Sequence, residues 1–519
     1  MNNTARNSIY RLIVWILLIF SAMMMHADDG VLSRKIKIDK NKGSVYQLLK
    51  QVSDQSGYLF VYDSKIVDND AVVKVKKGEY SVQDAIYLIT GNRKLKIRVL
   101  GNHILLNLPE DKVVLVSPNT IKKGESDTVG FISLSGKLFD HITDEPISFG
   151  SIGVVNTTIG TISNQDGEFK LVVPDTLVNS KVRFSHVGYQ NHEVDISLLA
   201  GQDIRLSLEP KVFPLQEIVI RVVNPIEVLE EMMNRRSLNY SQQPAYLTTF
   251  YREGIDYKKK TTELTEGVLK VYKTGFRNES RNDQVKLLKM RRVIKPQRND
   301  TIFPKMKSGI NACLLLDVVK DIPDFLERGS EDYIYTHTDI TVIDDRRVNV
   351  ISFEQKDFIL APMYKGELYI DAENYALVRA HFQLNPLFIE KATSSYIAKK
   401  DRNLKVSLQK AEYIISYKQS VNGVYYINHI RGDLSFKTRK KRQLTSSPLN
   451  FWFEMVNCKI DEENVVAFPR KERLSPFDIF SNTRHSFDKD FWGNFNIILP
   501  EDKLQDMIIN NLNEIVDIL

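Results

Sequence analysis

Apolar residues recur along this chain with more than one period, and each period predicts a different kind of element. Between residues 36 and 108 the helical spacing occurs twice. Val45, Leu48, Leu49 and Val52 fall at i, i+3, i+4 and i+7, the stripe a buried helical face requires, behind a capping box at Ser44 and Gln47. Gly57 stops this helix, and residues 58–62 have the composition of a strand. The second copy opens with Ser81 and Asp84, carries Val82, Ala85, Ile86 and Ile89 on its face, and ends at Gly91. Strand-like residues 95–100, a Gly101-Asn102 turn signal and residues 103–108 follow. The expectation is an α+β module with two helices on one small sheet.

The spacing then shortens. Residues 109–130 hold Pro109, Pro118 and Gly124 among lysines and acids and predict a linker. From 131 to 210, β-branched runs alternate with turn signals every ten residues or so, which predicts an all-β sandwich. One stretch there, GTISNQDGEFKLVVP at 160–174, crowds side-chain oxygens around Gly167. A calcium loop of the EF-hand kind needs acids where Ile162 and Val173 stand, whereas a hairpin turn needs only Asp166-Gly167. A turn is expected, and no metal.

Beyond residue 215 a third pattern takes over. Residues 225–238 read as a helix with Asn224 as cap, Pro225 in its first turn and Ile226, Leu229, Met232 and Met233 on one side; packing in a core is the expected role of the two methionines. From Ala245 onward apolar and polar residues alternate in long runs, as in 366–371 joined to 375–382, and 411–417 turning at Asn422-Gly423 into 424–430. The expectation for 215–519 is a mainly antiparallel, curved β domain with flanking helices, the last an amphipathic helix over 500–519. Charges interrupt segments such as 286–292 and 405–412 too often for lipid-facing strands, so a transmembrane barrel is the lesser alternative.

Several of these stretches resemble known families. The segments VSDQSGYLFVYD and YSVQDAIYLITG with the closing strand pair resemble the short N-terminal domain of secretins and TonB-linked outer-membrane receptors, which implies a periplasmic module that contacts other proteins. GKLFDHITDEPISFGSIGVVNTTIGTISNQDGEFKLVVP followed by VRFSHVGYQ resembles the carboxypeptidase regulatory-like domain, a prealbumin-like sandwich; Ser163-Asn164 departs from its usual Thr-Asp. NPIEVLEEMMNRRSLNYSQQPAYLTTFYREGIDYKK resembles a region that follows such a domain in envelope proteins of Gram-negative bacteria, in several of which a barrel comes next. GELYIDAENYALVRAHF resembles the hairpins of periplasmic lipoprotein carriers, whose half-barrel shields lipid.

Composition narrows the compartment more than the chemistry. Arg6 and Arg11 precede the apolar run at 12–20, and Ala27 stands before Asp28-Asp29, so residues 1–27 read as a cleavable secretory signal, with an uncleaved anchor as the alternative. Cleavage would lower the formal charge from +6 to +4, a balance that does not call for nucleic acid. Basic runs at 289–292 and 439–442 read as solvated loops or contacts for anionic head groups, and the aromatic groups at 451–453 and 491–492 as core. Cys313 and Cys458 are the only cysteines, and the sequence does not say whether they pair.

A zinc peptidase needs two histidines and a carboxylate on the metal and a glutamate to activate water. None of the nine histidines (His26, His103, His141, His186, His192, His337, His381, His429 and His485) begins such a motif, and His192-Glu193 fails where Ile196 stands. The expectation is a non-catalytic envelope protein without a cofactor, with no catalytic residue and no identified ligand-binding residue. It would reside in the periplasm, with an envelope protein partner, an apolar (lipid) or glycan ligand in the C-terminal domain and an association with the outer membrane or a TonB-linked transport system. The alternatives are a receptor-like transducer with a small barrel, and a hydrolase using dispersed carboxylates such as Asp256 with Glu263 or Glu367 with Asp371.

Overall fold

The computed structural model describes residues 29–510 except 40–41, 63–66, 68–70, 101–102, 108–129, 212–222, 259, 295–303, 328–330, 442 and 484–491. The expected signal at 1–27, nearly all of the 109–130 linker, and 511–519 of the last helix lie outside the described residues. Two compact units form: residues 1–127 with 134–136 and 197–206, and residues 128–133, 137–196 and 207–519.

In the first unit, helices α1 (Val45–Ser56) and α2 (Val82–Thr90) bury the two apolar stripes, with Leu48, Leu49, Val52, Val82, Ala85, Ile86 and Ile89 almost wholly excluded from solvent. Ser44 Oγ accepts from the Gln47 amide while Gln47 Oε1 accepts from the Ser44 amide, the reciprocal capping box. The second cap closes differently. The Ser81 hydroxyl accepts from the Asp84 amide and donates to the Asp84 carboxylate at 2.7 Å, because aspartate is one methylene shorter than glutamate or glutamine. The strands form three small sheets where one was expected. β1 (Lys35–Ile38) pairs with β5 (Gly78–Ser81), β2 (Lys42–Ser44) with β4 (Val72–Lys74), and β7 (His103–Asn107) lies between β3 (Leu59–Tyr62) and β6 (Lys96–Leu100). Each helix follows directly on a strand, β2 or β5, and each of these strands pairs elsewhere, which divides the ladders.

Strands β8 (Phe131–Asp140) to β14 (Asp203–Leu208) build a sandwich. One sheet runs β10 (Gly160–Ile162), β9 (Ser151–Val154), β12 (Lys181–Ser185), β13 (His192–Asp195); the other runs β11 (Glu168–Pro174), β8, β14. The turn at 163–167 therefore does not close a hairpin within one sheet: it carries the chain from one sheet to the other. Asn164 Oδ1 accepts from the amides of Asp166 and Glu168 at 3.0 and 2.8 Å, and Gly167 takes φ +79°. The oxygen that could have met a cation is spent on the backbone.

The remainder forms an open ten-stranded antiparallel sheet. Its order is β17 (Gln284–Ile294), β16 (Lys260–Lys273), β15 (Ala245–Tyr257), β26 (Ser447–Asp461), β25 (Tyr425–Lys440), β24 (Leu404–Gln419), β22 (Leu377–Leu384), β21 (Tyr364–Asp371), β20 (Arg346–Gln355), β19 (Tyr333–Ile343). The Asn422-Gly423 turn joins β24 to β25, with Gly423 at φ +88°; Asp371 Oδ1 accepts from the amides of Glu373 and Asn374 to close β21 onto β22. The basic run at 289–292 is not a loop. It lies in β17, where alternation sends Arg291 to Glu266 on one face and Arg292 to Glu263 on the other. Helix α3 (Pro225–Asn234) is shorter than expected and leaves Ile226 46% exposed, while Val228 and Met232 are buried and Met233 packs against the same core. Among the described residues no helix is long and apolar enough to cross a membrane.

Candidate functional site

Period-two alternation gives the large sheet two different faces. The outer face carries Arg252, Glu266, Glu454 and Trp452 and is covered by the sandwich and by residues 492–501. Phe250, Val268, Val456 and Cys458 pack there with Ile162, Ile497 and Ile498. Arg252 Nε donates to Glu454 at 2.8 Å and its terminal nitrogen to Glu501 at 2.8 Å, while His429 contacts the second Glu454 oxygen at 2.8 Å and stacks on Phe149 at 5.2 Å. Burial alone would raise the Glu454 carboxyl, but Arg252, His429 and Arg431 outweigh it and hold it well below the carboxylate range. These ion pairs tie β15, β25 and β26 to the segment at Glu501, and the ring stack of His429 on Phe149 reaches the sandwich.

The inner face is apolar and aromatic. Phe325, Phe353, Phe382, Tyr333, Tyr364 and Tyr413 form one ring cluster, with Phe325 stacked on Phe353 at 4.4 Å, and Tyr251, Phe451 and Phe453 continue it across β15 and β26. This face is lined but not open. Helix α4 (Gly309–Leu315) and the single turn at 324–326 lie over it, bringing Ile310, Cys313, Leu314 and Phe325 into the core. Strand β18 (Lys305–Met306) holds the covering segment by pairing with β23 (Ile397–Lys399). The helix sits close because its first residue is glycine: a Cβ at Gly309 would come within 2.1 Å of the Tyr251 hydroxyl and 3.1 Å of Phe453.

At the β15–β17 end of this face a cleft of about 210 Å³ remains, bounded by Ile255, Phe451, Met306 and Phe480 on its apolar side. Its polar side carries Glu253, Glu263, Thr265, Arg292, Ser308 and Ser481. Register explains the gathering, since Thr265 lies opposite Glu253 on one side and Arg292 on the other, all on the inward parity. Arg292 binds Glu263 at 2.8 Å, and the Tyr251 hydroxyl donates to Glu253 at 2.6 Å. Burial pushes the Glu253 carboxyl up to about 7; the Tyr251 hydrogen bond opposes this and Glu263 adds to it. Thr265 Oγ1 is buried with no hydrogen-bond partner among the described residues.

The carboxylate pairs singled out in the sequence do not converge. Asp256 accepts from Thr261 at 2.9 Å whereas Glu263 turns to Arg292; Glu367 accepts from Tyr369 and Asp371 is engaged by Arg346. The carboxyls that do share a cleft, Glu253 and Glu263, are ten apart in sequence, and only the hairpin register signals them. Cys313 lies in the inner core and Cys458 in the outer one, both free and buried. Of the histidines with described side chains, His381 meets Glu412, His141 meets Ser207 and His337 meets Asn349, while burial lowers the His186 pKa to about 4. In the 451–453 group, Phe451 and Phe453 enter the inner core and Trp452 lies outward beside Arg252 and Arg431.

Comparison with known proteins defines one part of the chain. Residues 134–220 match the family described as the CarboxypepD_reg-like domain, so the sandwich carries that domain. No curated protein matches the chain. Among solved structures, a Vibrio parahaemolyticus domain described as that of an outer membrane lipoprotein-sorting protein shares 11% identity over 47% of this chain and 95% of its own, with a TM-score of 0.23. A LolA superfamily protein of Nitrosomonas europaea shares 11% over 49% of this chain and 99% of its own, TM-score 0.17. A DUF1329 family protein of Desulfovibrio piger shares 10% over 47% and 96%, TM-score 0.19.

Proposed function

We propose that this chain is a non-catalytic binding protein of the cell envelope that shelters the apolar part of an amphiphile against the inner face of its large sheet. The observation that carries this reading is the cleft at the end of that face, where Ile255, Phe451 and Met306 stand against Arg292, Glu253 and the unpartnered Thr265 hydroxyl. Its volume, about 210 Å³, is below the 300–1,000 Å³ or so of a drug-sized ligand site, so a longer chain enters only as α4 lifts from the rings beneath it. Apolar burial of about 25 cal/mol per Å² supplies the affinity, and the cleft's polar wall fixes the head group. The N-terminal module, with its resemblance to the secretin and TonB-receptor domain, is the part we assign to contacts with a periplasmic or outer-membrane partner.

Native mass spectrometry of the secreted protein from its envelope fraction, with displacement of a fluorescent fatty-acid probe, tests this. Bound amphiphile, and probe binding lost on placing a charge at Phe451 in a folded protein, are expected; no adduct and no probe binding would refute it. A second reading, hydrolysis, is favoured by one feature, the neutral-range carboxyl of Glu253 beside Glu263. Turnover of ester or glycoside substrates that Glu253→Gln abolishes would establish that reading instead.

A further inference from the structure

A second cleft lies on the opposite face of the large sheet, where the sandwich meets the β24–β25 hairpin. It has a volume of about 300 Å³ and is walled by hydroxyls and amides, among them Ser151, Ser185, Asn156, Thr157 and Ser420, with the carboxylates of Asp344 and Asp371 also in the lining. Lys418 extends into it from β24. Its ammonium lies over the backbone of β9, where a Cβ built at Gly153 would come within 2.3 Å of Nζ. Every other cation at the cleft has a carboxylate of its own. Arg183 donates to Glu193 at 2.7 and 2.8 Å, and Arg346 is bound to Asp371. The Lys418 side chain makes no ion pair or hydrogen bond with any described residue; burial lowers its pKa, Asp344 in the same lining favours its charge and Arg183 opposes it.

The walls are fixed before any ligand arrives. The Thr158 hydroxyl donates to the Ile460 carbonyl at 2.8 Å, the Gly188 amide to the Val342 carbonyl at 2.8 Å, and Lys211 pairs with Asp345 at 3.0 Å, so strand and loop contacts hold both sides. An unpaired ammonium in a rigid, hydroxyl-lined cleft is matched by a compact oxyanion whose other groups are hydroxyls, because burying a charge without a counter-charge is costly and charge-assisted hydrogen bonds remove that cost. We propose that this cleft is a second binding site, taking the phosphate or carboxylate of a small polyhydroxylated molecule, with Lys418 as its charge partner. The site is independent of the amphiphile cleft, which lies on the other face of the sheet.

Titration calorimetry of the full secreted chain with inorganic phosphate, glucuronate and glucose tests the assignment. Phosphate or glucuronate should bind and glucose should not; binding of phosphate points to a free or terminal phosphate, and of glucuronate alone to a sugar acid. Lys418→Met should weaken the anion about tenfold or more while leaving the fatty-acid probe unaffected. Should that variant fail to fold, limiting amine acylation mapped by mass spectrometry on the unaltered protein serves instead, with Lys418 protected by the anion. Absence of anion binding, equal binding by a folded Lys418→Met, or an unprotected Lys418 would overturn the proposal.

Discussion

Glu253 offers the sharpest test of the inner-face geometry. Its carboxyl is 6% exposed and is raised from 4.5 to about 7, chiefly by burial. A raised acid means that the folded protein holds a proton the unfolded chain has released, so between pH 4.5 and 7 the folded state binds more protons and stability falls as pH rises. Above 7 both states are ionised and this contribution is flat. The rise from 4.5 to about 7 sets the ceiling at about 3 kcal/mol. Glu253→Gln keeps an acceptor for the Tyr251 hydroxyl and abolishes the ionisation. The variant should therefore gain on the parent progressively from about pH 5 to about pH 7 and level off above that. Urea unfolding of the second unit at a series of pH values, followed by the fluorescence of Trp452 and Trp492, gives the difference directly. Parallel stability curves for parent and variant would mean that Glu253 is not held in a dry cleft, and the polar wall described above would be wrong.

Other consequences are open to measurement. Glu454→Gln leaves the Arg252 guanidinium with Glu501 alone in a buried setting and should cost about 3–5 kcal/mol in chemical denaturation. Asn164→Ala removes the acceptor of two turn amides and should cost about 1–3 kcal/mol, seen as a lowered melting temperature of the sandwich. Gly309→Val forces α4 away from Tyr251 and should increase binding of an apolar dye, read by its fluorescence. Phe325→Ala empties the centre of the ring cluster and should cost about 3–5 kcal/mol by urea unfolding.

Where the sequence carried a period, it was a sound guide. The stripe at Val45, Leu48, Leu49 and Val52, the alternation from Ala245 onward and the Asn422-Gly423 turn are local codes that need no distant partner to be read. Pairing between distant elements is where legibility ended. Nothing in residues 160–174 says that β10 and β11 join different sheets, since that choice is made by β9 and β8. The covering of the inner face was likewise hidden, because residues 309–315 are a short apolar helix whose role depends on a close approach at Gly309. Both clefts escaped notice for the same reason. Glu253 and Lys418 look like ordinary polar positions on alternating strands, and only register and docking place them where water is scarce.

The way residues 495–501 lie against the sandwich bears on how the protein is made. The Thr161 hydroxyl reaches the Ile497 carbonyl across 336 positions of chain, Asn496 holds the Val172 backbone across 324, and β15 finds its neighbour β26 some 200 residues later. Such closures are slow to form, and until they do β15 presents an unsatisfied edge to any other strand nearby. During synthesis the early half of the second unit must wait, incomplete, for these late-emerging residues, so the yield of correctly assembled protein should depend on chaperones that protect bare strand edges.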